Sequence, residues 1–238
     1  MHADGSTYEG GWVADQKDGD AAEKWADGSQ FEGTYVAGKK QGAGKFWWPD
    51  GSMYMGQFRD NEIDGVGTYT WSDSRVYVGE WVANKMNGRG TFTWKNDGRC
   101  YVGQYVLDKK HGEGVETVAA TGERYEGDFE RGKRHGRGAW RVGDGGGDTY
   151  EGEWRDGRRH GRGAAFDAAS GASYAGAFEA DRPVDLPAFL ELEILGPVPE
   201  DGGERPKLGT EEAPLAATAG RALGEGGGVA RLRARAPP

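Results

Sequence analysis

The amino-acid sequence predicts an all-β protein, an elongated single-layer antiparallel β solenoid of eight hairpin repeats. The first supporting observation is a triplet of aromatic, glycine and aromatic residues at alternate positions, which recurs along the chain. The second is a pair of glycines at alternate positions, beginning eleven residues after the first aromatic of most triplets. The third is composition, because 44 of 238 residues are glycine, against roughly 7% in an average protein.

The triplets define the repeat. They begin at Tyr8, Phe31, Tyr54, Tyr77, Tyr101, Tyr125, Tyr150 and Tyr174. Successive starts lie 23 to 25 residues apart, a period typical of proteins that stack one supersecondary unit many times. Six units carry the complete glycine pair, whereas the first and last depart from it. Such departures are typical of the capping units of a stacked array.

Each unit is predicted to contain two short antiparallel strands. Residues two apart in a strand share a face, so Tyr77, Gly79 and Trp81 point one way, as do Phe92 and Trp94 in the second segment. Asp-Gly dipeptides between units supply tight turns. We expect a glycine opposite an aromatic to leave a space that a neighbouring ring covers. Because one hairpin is marginally stable in water, the units should pair edge to edge.

Three segments are expected along the chain. The repeat array should occupy residues 1–187, a capping strand residues 188–195, and a disordered tail residues 196–238. The capping segment alternates apolar and acidic residues, which is typical of a half-buried strand, although a short partner-binding strand is the alternative. The tail is rich in Pro, Gly, Ala, Glu and Arg and poor in aromatics, which favours disorder.

Charge and composition argue against several classes of protein. The net charge of −9 disfavours general binding to nucleic acid phosphates, although a local basic patch stays open. Cys100 is the single cysteine, so no disulfide can form within the chain. No apolar run approaches the ~20 residues that cross a bilayer, and no apolar leader follows Met1. We therefore expect a cytoplasmic protein that is neither secreted nor transmembrane.

The aromatic face is the first candidate binding surface. Its candidate residues are Tyr77, Trp81, Tyr101, Tyr105, Tyr125, Phe129, Tyr150 and Trp154. Rings at strand spacing are most often the packing that holds a thin sheet together. If the face stays partly open, the same rings could anchor a partner's helix or strand, because aromatic residues are enriched among binding hot spots.

A basic ladder is the second candidate. It comprises Lys109, Lys110, Lys133, Arg134, Arg158 and Arg159, each pair lying just before a histidine and a glycine pair. Equivalent positions of successive units should line one edge at a pitch of ~10 Å. Such a stripe could bind acidic proteins or anionic lipid headgroups. The alternative is that these are solvated turn residues, neutralised by the nearby carboxylates of Asp108, Glu130 and Asp156.

The sequence contains no recognisable catalytic motif. There is no dinucleotide fingerprint in a strand-turn-helix context, no phosphate loop and no Gly-x-Ser-x-Gly elbow. His111, His135 and His160 would stand on rungs ~10 Å apart, too far to share a zinc ion that needs ligands within ~2.1 Å. We therefore predict that the protein is not an enzyme and uses no cofactor or metal.

The repeat resembles a known family. The pattern Y-x-G-x-[WF], a polar turn and H-G-x-G-x-[FYW]-x-W-x-D-G is similar to the MORN (membrane occupation and recognition nexus) repeat, best in residues 77–94 and 125–140. The resemblance covers about residues 4 to 187 and implies a twisted β sheet without an active site of its own. Family members include axonemal and cytoskeletal scaffolds, membrane-junction proteins, and regulatory extensions of lipid kinases and lysine methyltransferases.

The resemblance implies three functional hypotheses. The first is a non-catalytic scaffold for protein–protein interaction in the cytoskeleton, cilium or axoneme, with a homodimer left open. The second is a peripheral membrane tether that recognises phosphoinositides through the basic ladder. The third is the regulatory arm of a larger enzyme, such as a phosphatidylinositol phosphate kinase.

Overall fold

The computed structural model describes residues 5–184, which form one open antiparallel sheet of sixteen strands. Each strand pairs with its neighbours in sequence, and the described residues contain no helix. The strands are β1 (Thr7–Val13), β2 (Gln16–Lys24), β3 (Gln30–Val36), β4 (Lys39–Trp47), β5 (Met53–Arg59), β6 (Glu62–Thr70), β7 (Val76–Val82), β8 (Lys85–Trp94), β9 (Arg99–Val106), β10 (Lys109–Val118), β11 (Glu123–Glu130), β12 (Lys133–Val142), β13 (Thr149–Arg155), β14 (Arg158–Asp167), β15 (Ala172–Glu179) and β16 (Arg182–Pro183).

This architecture confirms the predicted all-β, single-layer antiparallel array. The eight triplets lie on the odd-numbered strands from β1 to β15, and the glycine pairs lie on the even-numbered strands. The expected capping strand (188–195) and disordered tail (196–238) lie outside the described residues.

In units three to seven a tyrosine covers two paired glycines and so locks the hairpin, and unit four shows how. Gly79 pairs with Gly90 across the strands, and the Tyr77 ring lies over both, so that a methyl group added at Gly90 would overlap the ring. The Tyr77 hydroxyl donates a hydrogen bond to the Glu80 carbonyl at 3.0 Å. The expectation that a glycine lies opposite an aromatic holds for the first glycine of the pair, since Gly88 pairs with Tyr105. Gly79 and Gly90 instead pair with each other, and the ring that covers them belongs to the same strand as Gly79.

The first glycine of each pair makes a β-bulge. Gly88 has a φ of 69°, in the left-handed region that favours glycine, and the register between β7 and β8 shifts at this point. The bulge exposes a backbone N–H that a side chain then satisfies, since Arg89 N donates to the Glu80 carboxylate at 2.8 Å. Arg137 repeats this contact with Asp128 at 2.9 Å. The bulge is therefore a regular feature of the unit.

The core is a continuous chain of rings along one face of the sheet, here called the core row. In order of contact it contains Trp12, Tyr8, Tyr35, Phe31, Phe58, Tyr54, Trp81, Tyr77, Tyr105, Tyr101, Phe129, Tyr125, Trp154, Tyr150, Phe178 and Tyr174. Neighbouring rings meet edge to face with centroids 5.0 to 6.0 Å apart. Such pairs contribute about 0.5–1.5 kcal/mol each beyond their buried area, so the row ties every unit to the next.

Candidate functional site

The structure places all eight candidate rings of the aromatic face inside the core row. Their exposed fractions lie between 0% for Tyr77 and 6% for Trp154. The condition that this face stay partly open is not met at these eight rings, because a ring buried against its neighbours offers almost no surface to a partner. The placement agrees with the packing interpretation, and partner binding by these residues stays a prediction.

A second set of rings lies on the same face nearer the loop edge, and we call it the outer aromatic row. It contains Trp25, Phe46, Trp48, Tyr69, Trp71, Phe92 and Trp94. Consecutive centroids are 4.1 to 5.6 Å apart, so the rings form an unbroken strip across units one to four. All but Phe92 are half-buried. The row therefore combines fixed position with accessible aromatic surface.

The turns between units hold the tryptophans of this row in place. Trp48 N donates to the Ser52 carbonyl at 2.9 Å, and the Asp50 carboxylate accepts the backbone N–H of Ser52 at 2.8 Å. Trp71 repeats the contact, donating to the Arg75 carbonyl at 2.9 Å. The Arg75 guanidinium lies 5.4 Å from the Trp71 ring centroid. Trp25, Trp48 and Trp71 are thus each held at the backbone by a closed turn.

The strip of the outer aromatic row has defined ends. At its far end Glu116 stands on β10 at the position that Phe92 holds on β8, since both pair with Tyr101. The Lys110 ammonium lies 5.1 Å from the Trp94 ring centroid. Past this point the same face carries an open cleft of about 560 Å³ lined in part by Trp140. The uninterrupted aromatic surface therefore ends at unit four.

Lys40 marks the other end of the strip. Its ammonium lies 5.0 Å from the Trp25 centroid, 5.3 Å from Phe31 and 5.5 Å from Phe46. Burial lowers the pKa of Lys40. In units three and four the equivalent positions hold Ile63 and Met86, so the floor between the two rows is apolar there.

Three members of the basic ladder lie over core rings. The Lys110 ammonium is 4.9 Å from the Tyr101 centroid and forms an ion pair with Glu116. Arg134 lies 4.8 Å from the Tyr125 centroid and 3.5 Å from the same Glu116 carboxylate. Burial lowers the pKa of Lys110, and the Glu116 carboxylate opposes that shift. Arg159 lies over Tyr150 and Phe178 in the same way.

The other three members face solvent, and one of them links two units. Lys133 is 3.5 Å from Asp156, 23 residues along the chain. Lys109 and Arg158 have no ion pair or ring contact within residues 5–184. Four of the six cations are therefore engaged inside the chain, and among these only Lys133 pairs with a carboxylate that the alternative interpretation named. A binding role for the ladder stays a prediction.

Neither a metal centre nor a membrane helix is present in the part of the chain that the structure describes. Residues 5–184 contain no group of three or more His, Cys, Asp or Glu side chains placed to bind a metal ion. They also contain no helix with the length and apolarity needed to cross a bilayer.

Sequence reasoning did not single out the outer aromatic row as a site. The signal was available, because Phe92 and Trp94 share a face with the glycine pair. Spacing alone could not separate rings in the middle of the sheet, which are covered on every side, from rings near its edge.

The solved structures that resemble this chain include two TCP10 domains. The TCP10c domain of Drosophila melanogaster Sas-4 has 9% identity and a TM-score of 0.37, covering 75% of this chain and 96% of that one. The wild-type TCP10 domain of Danio rerio CPAP, solved in complex with a peptide of Danio rerio STIL, has 17% identity and a TM-score of 0.25, covering 75% and 92%. Likenesses at these scores carry no argument about function. No curated protein matches the chain.

A family model, by contrast, matches more than half of the chain. The MORN repeat model matches residues 8–30, 31–53, 54–74, 77–99, 101–117, 125–146 and 150–164. It does not match the unit that begins at Tyr174, although Tyr174 and Phe178 continue the core row. The matched segments coincide with the first seven hairpins of the sheet, and the chain therefore belongs to the MORN repeat family.

Proposed function

We propose that this protein is a non-catalytic scaffold that binds a segment of a partner protein along the outer aromatic row. The observation that carries the proposal is the unbroken strip of seven rings, of which six are half-buried and accessible and three, Trp25, Trp48 and Trp71, begin closed turns. Exposed aromatic surface on a rigid support is typical of protein-binding hot spots. Because the tryptophans are already ordered, a partner loses little affinity to ordering them.

The dimensions of the row define the partner. From β2 to β8 the strip crosses six strand spacings of ~4.8 Å, or about 29 Å. A helix of about 19 residues or an extended segment of about 9 residues spans that distance. Ile63 and Met86 make the middle of the floor apolar. The partner segment should therefore present apolar side chains over units three and four.

We further propose that the scaffold acts in the cytoskeleton or a cilium. Support for this compartment comes only from family membership. Imaging of the tagged protein in its native cell tests the placement, and a signal away from cytoskeletal and ciliary structures would contradict it.

Substitutions in the row test the scaffold proposal. Trp48→Ala and Trp71→Ala, singly and together, should leave the β-sheet circular dichroism intact. The double variant should lower recovery of co-purified partner proteins at least about tenfold, the effect of losing a hot-spot contact of about 1.4 kcal/mol or more. Trp12→Ala is the matched control, because Trp12 is 57% exposed and lies outside the row. Unchanged partner recovery by a folded double variant would contradict the proposal.

The alternatives remain predictions. A membrane tether needs cations that can reach lipid headgroups, and four of the six ladder residues are already engaged within the chain. Its test is salt-sensitive binding to phosphoinositide vesicles that Lys109→Glu with Arg158→Glu abolishes. A regulatory arm of a larger enzyme would instead appear as an in-frame enzyme domain in the full transcript.

A further inference from the structure

The face opposite the core row carries a contiguous row of methionine, valine and threonine side chains in the middle of the array, here called the back row. Its members are cross-strand neighbours, in the order Met55, Thr68, Val78, Thr91, Val102 and Val115. Met55 and Val78 are each 48% exposed and Val102 is 52% exposed, whereas Thr68, Thr91 and Val115 between and beside them are half-buried. Contiguous exposed apolar surface is typical of interaction sites, whereas isolated exposed residues are not.

The back row ends in opposite charges. Lys45 pairs with Met55 at one end, and Glu126 pairs with Val115 at the other. Both charged side chains are exposed. Lys45 has no ion pair within residues 5–184, whereas Glu126 contacts Arg124 at 2.6 Å. The patch is therefore a β-branched and apolar centre with a cation at one end and an anion at the other.

We propose that a second copy of this chain packs on the back row, face to face, about a two-fold axis parallel to the strands between β7 and β8. This rotation reverses the order of strands in the second copy, so that β7 lies opposite β8 of that copy. It leaves the position along each strand unchanged, so the back row of one copy lies on the back row of the other. Val78 then lies opposite Thr91 of the second copy, and Lys45 lies opposite Glu126 of the second copy. Because the axis runs along the strands, the two sheets twist together and stay aligned, as packed sheets in sandwiches do.

The two neighbouring rows fit the same operation independently. Next to the back row on the hairpin-turn side, Glu80 and Arg89 are exposed on the two strands that flank the axis. The operation places each opposite the other residue of the second copy. Glu80 already accepts the backbone N–H of Arg89, and the Arg89 guanidinium has no ion pair within residues 5–184. On the loop side, the neighbouring row has Trp47 at one end and Arg124 at the other. The rotation therefore places the Trp47 ring of one copy opposite the Arg124 guanidinium of the second copy.

The size of the patch suits a stable interface. Eight strands from β4 to β11 span about 38 Å, and three rows of alternate residues span about 20 Å. The footprint is about 760 Å² on each copy, close to the ~800 Å² per partner of a standard protein interface.

Light scattering with size-exclusion chromatography tests the proposal on the full chain. We expect the wild-type protein to show twice the 25.7 kDa of one chain. Lys45→Glu or Glu126→Lys places like charges together at both ends of the interface and should weaken dimerisation at least about tenfold. The double exchange Lys45→Glu with Glu126→Lys restores opposite charges and should recover the dimer. Lys109→Glu, a charge reversal away from the back row, is the matched control.

Three results would overturn the proposal. The first is a wild-type monomer at all concentrations accessible to scattering. The second is a dimer that both single reversals leave intact, which places the contact elsewhere. The third is a failure of the double exchange to recover the dimer although circular dichroism shows each variant folded.

Discussion

Gly90→Ala tests the tyrosine lock on which the repeat depends. The new methyl group would overlap the Tyr77 ring, which is 0% exposed and cannot move without leaving its contacts with Trp81 and Tyr105. Overpacking costs about 1–3 kcal/mol, and loss of the hydroxyl bond to the Glu80 carbonyl adds about 1 kcal/mol. We expect a loss of about 3 kcal/mol, and hence a fall of about 6–12 °C in the melting midpoint of an array of this size.

Thermal and urea unfolding followed by circular dichroism measure this loss. Gly146→Ala is the matched control, because Gly146 has no heavy atom within 4 Å of an added methyl group and no positive φ. It should change stability by less than about 0.5 kcal/mol. If Gly90→Ala changed stability no more than Gly146→Ala, the lock would be wrong and the glycine pair would need another explanation.

Three further predictions concern stability, and urea unfolding checks each of them. Tyr105→Phe removes a buried hydroxyl that has no hydrogen-bond partner, so the free energy of unfolding should stay the same or rise by up to about 1 kcal/mol. Tyr35→Phe removes a 2.6 Å hydrogen bond to the Glu23 carboxylate, so the free energy of unfolding should fall by about 1–2 kcal/mol. Glu116→Gln leaves the half-buried cations Lys110 and Arg134 without their carboxylate and should lower the free energy of unfolding by about 1–3 kcal/mol. Lys110→Met should be nearly neutral, because methionine occupies the equivalent position in unit four. Equal losses for the two variants would contradict the ion-pair account. Burial raises the pKa of the core-row tyrosines Tyr54, Tyr77 and Tyr101 above the value of about 10 in the unfolded chain, and that of Tyr54 reaches about 12. The stability that these neutral side chains contribute should therefore be complete below pH ~10 and fall as the pH rises toward ~12.

The strand pattern could be predicted from residue spacing because each unit repeats the same local problem. Tyr77, Gly79 and Trp81 alternate with period two, and the same three positions recur in every unit. The repeat therefore specifies both the strands and their neighbours. Spacing could not show which ring covers the glycines, because that depends on the side-chain rotamer of Tyr77 and the bulge at Gly88.

The basic ladder shows where the prediction lost detail that the sequence contained. Lys109 and Lys110 were grouped as one edge, but adjacent residues of a strand face opposite sides of a sheet. Lys110 consequently lies over the core rings, and Lys109 faces solvent. Applying the alternation to the ladder would have separated its two classes. The choice of Glu116 as the shared carboxylate of Lys110 and Arg134 needed three-dimensional coordinates.

The two proposed surfaces lie on opposite faces of one layer, and this has a consequence for assembly. Phe46 pairs with Tyr54 on the core face, whereas the neighbouring residues Lys45 and Met55 pair on the opposite face. A dimer through the back row therefore leaves both outer aromatic rows on its outer surfaces. Such a dimer presents two identical outer aromatic rows that face away from each other, so it can link two separate partner segments, whereas both rows cannot bind one segment together. Two linked binding sites also raise the overall affinity for a partner that displays several copies of the segment.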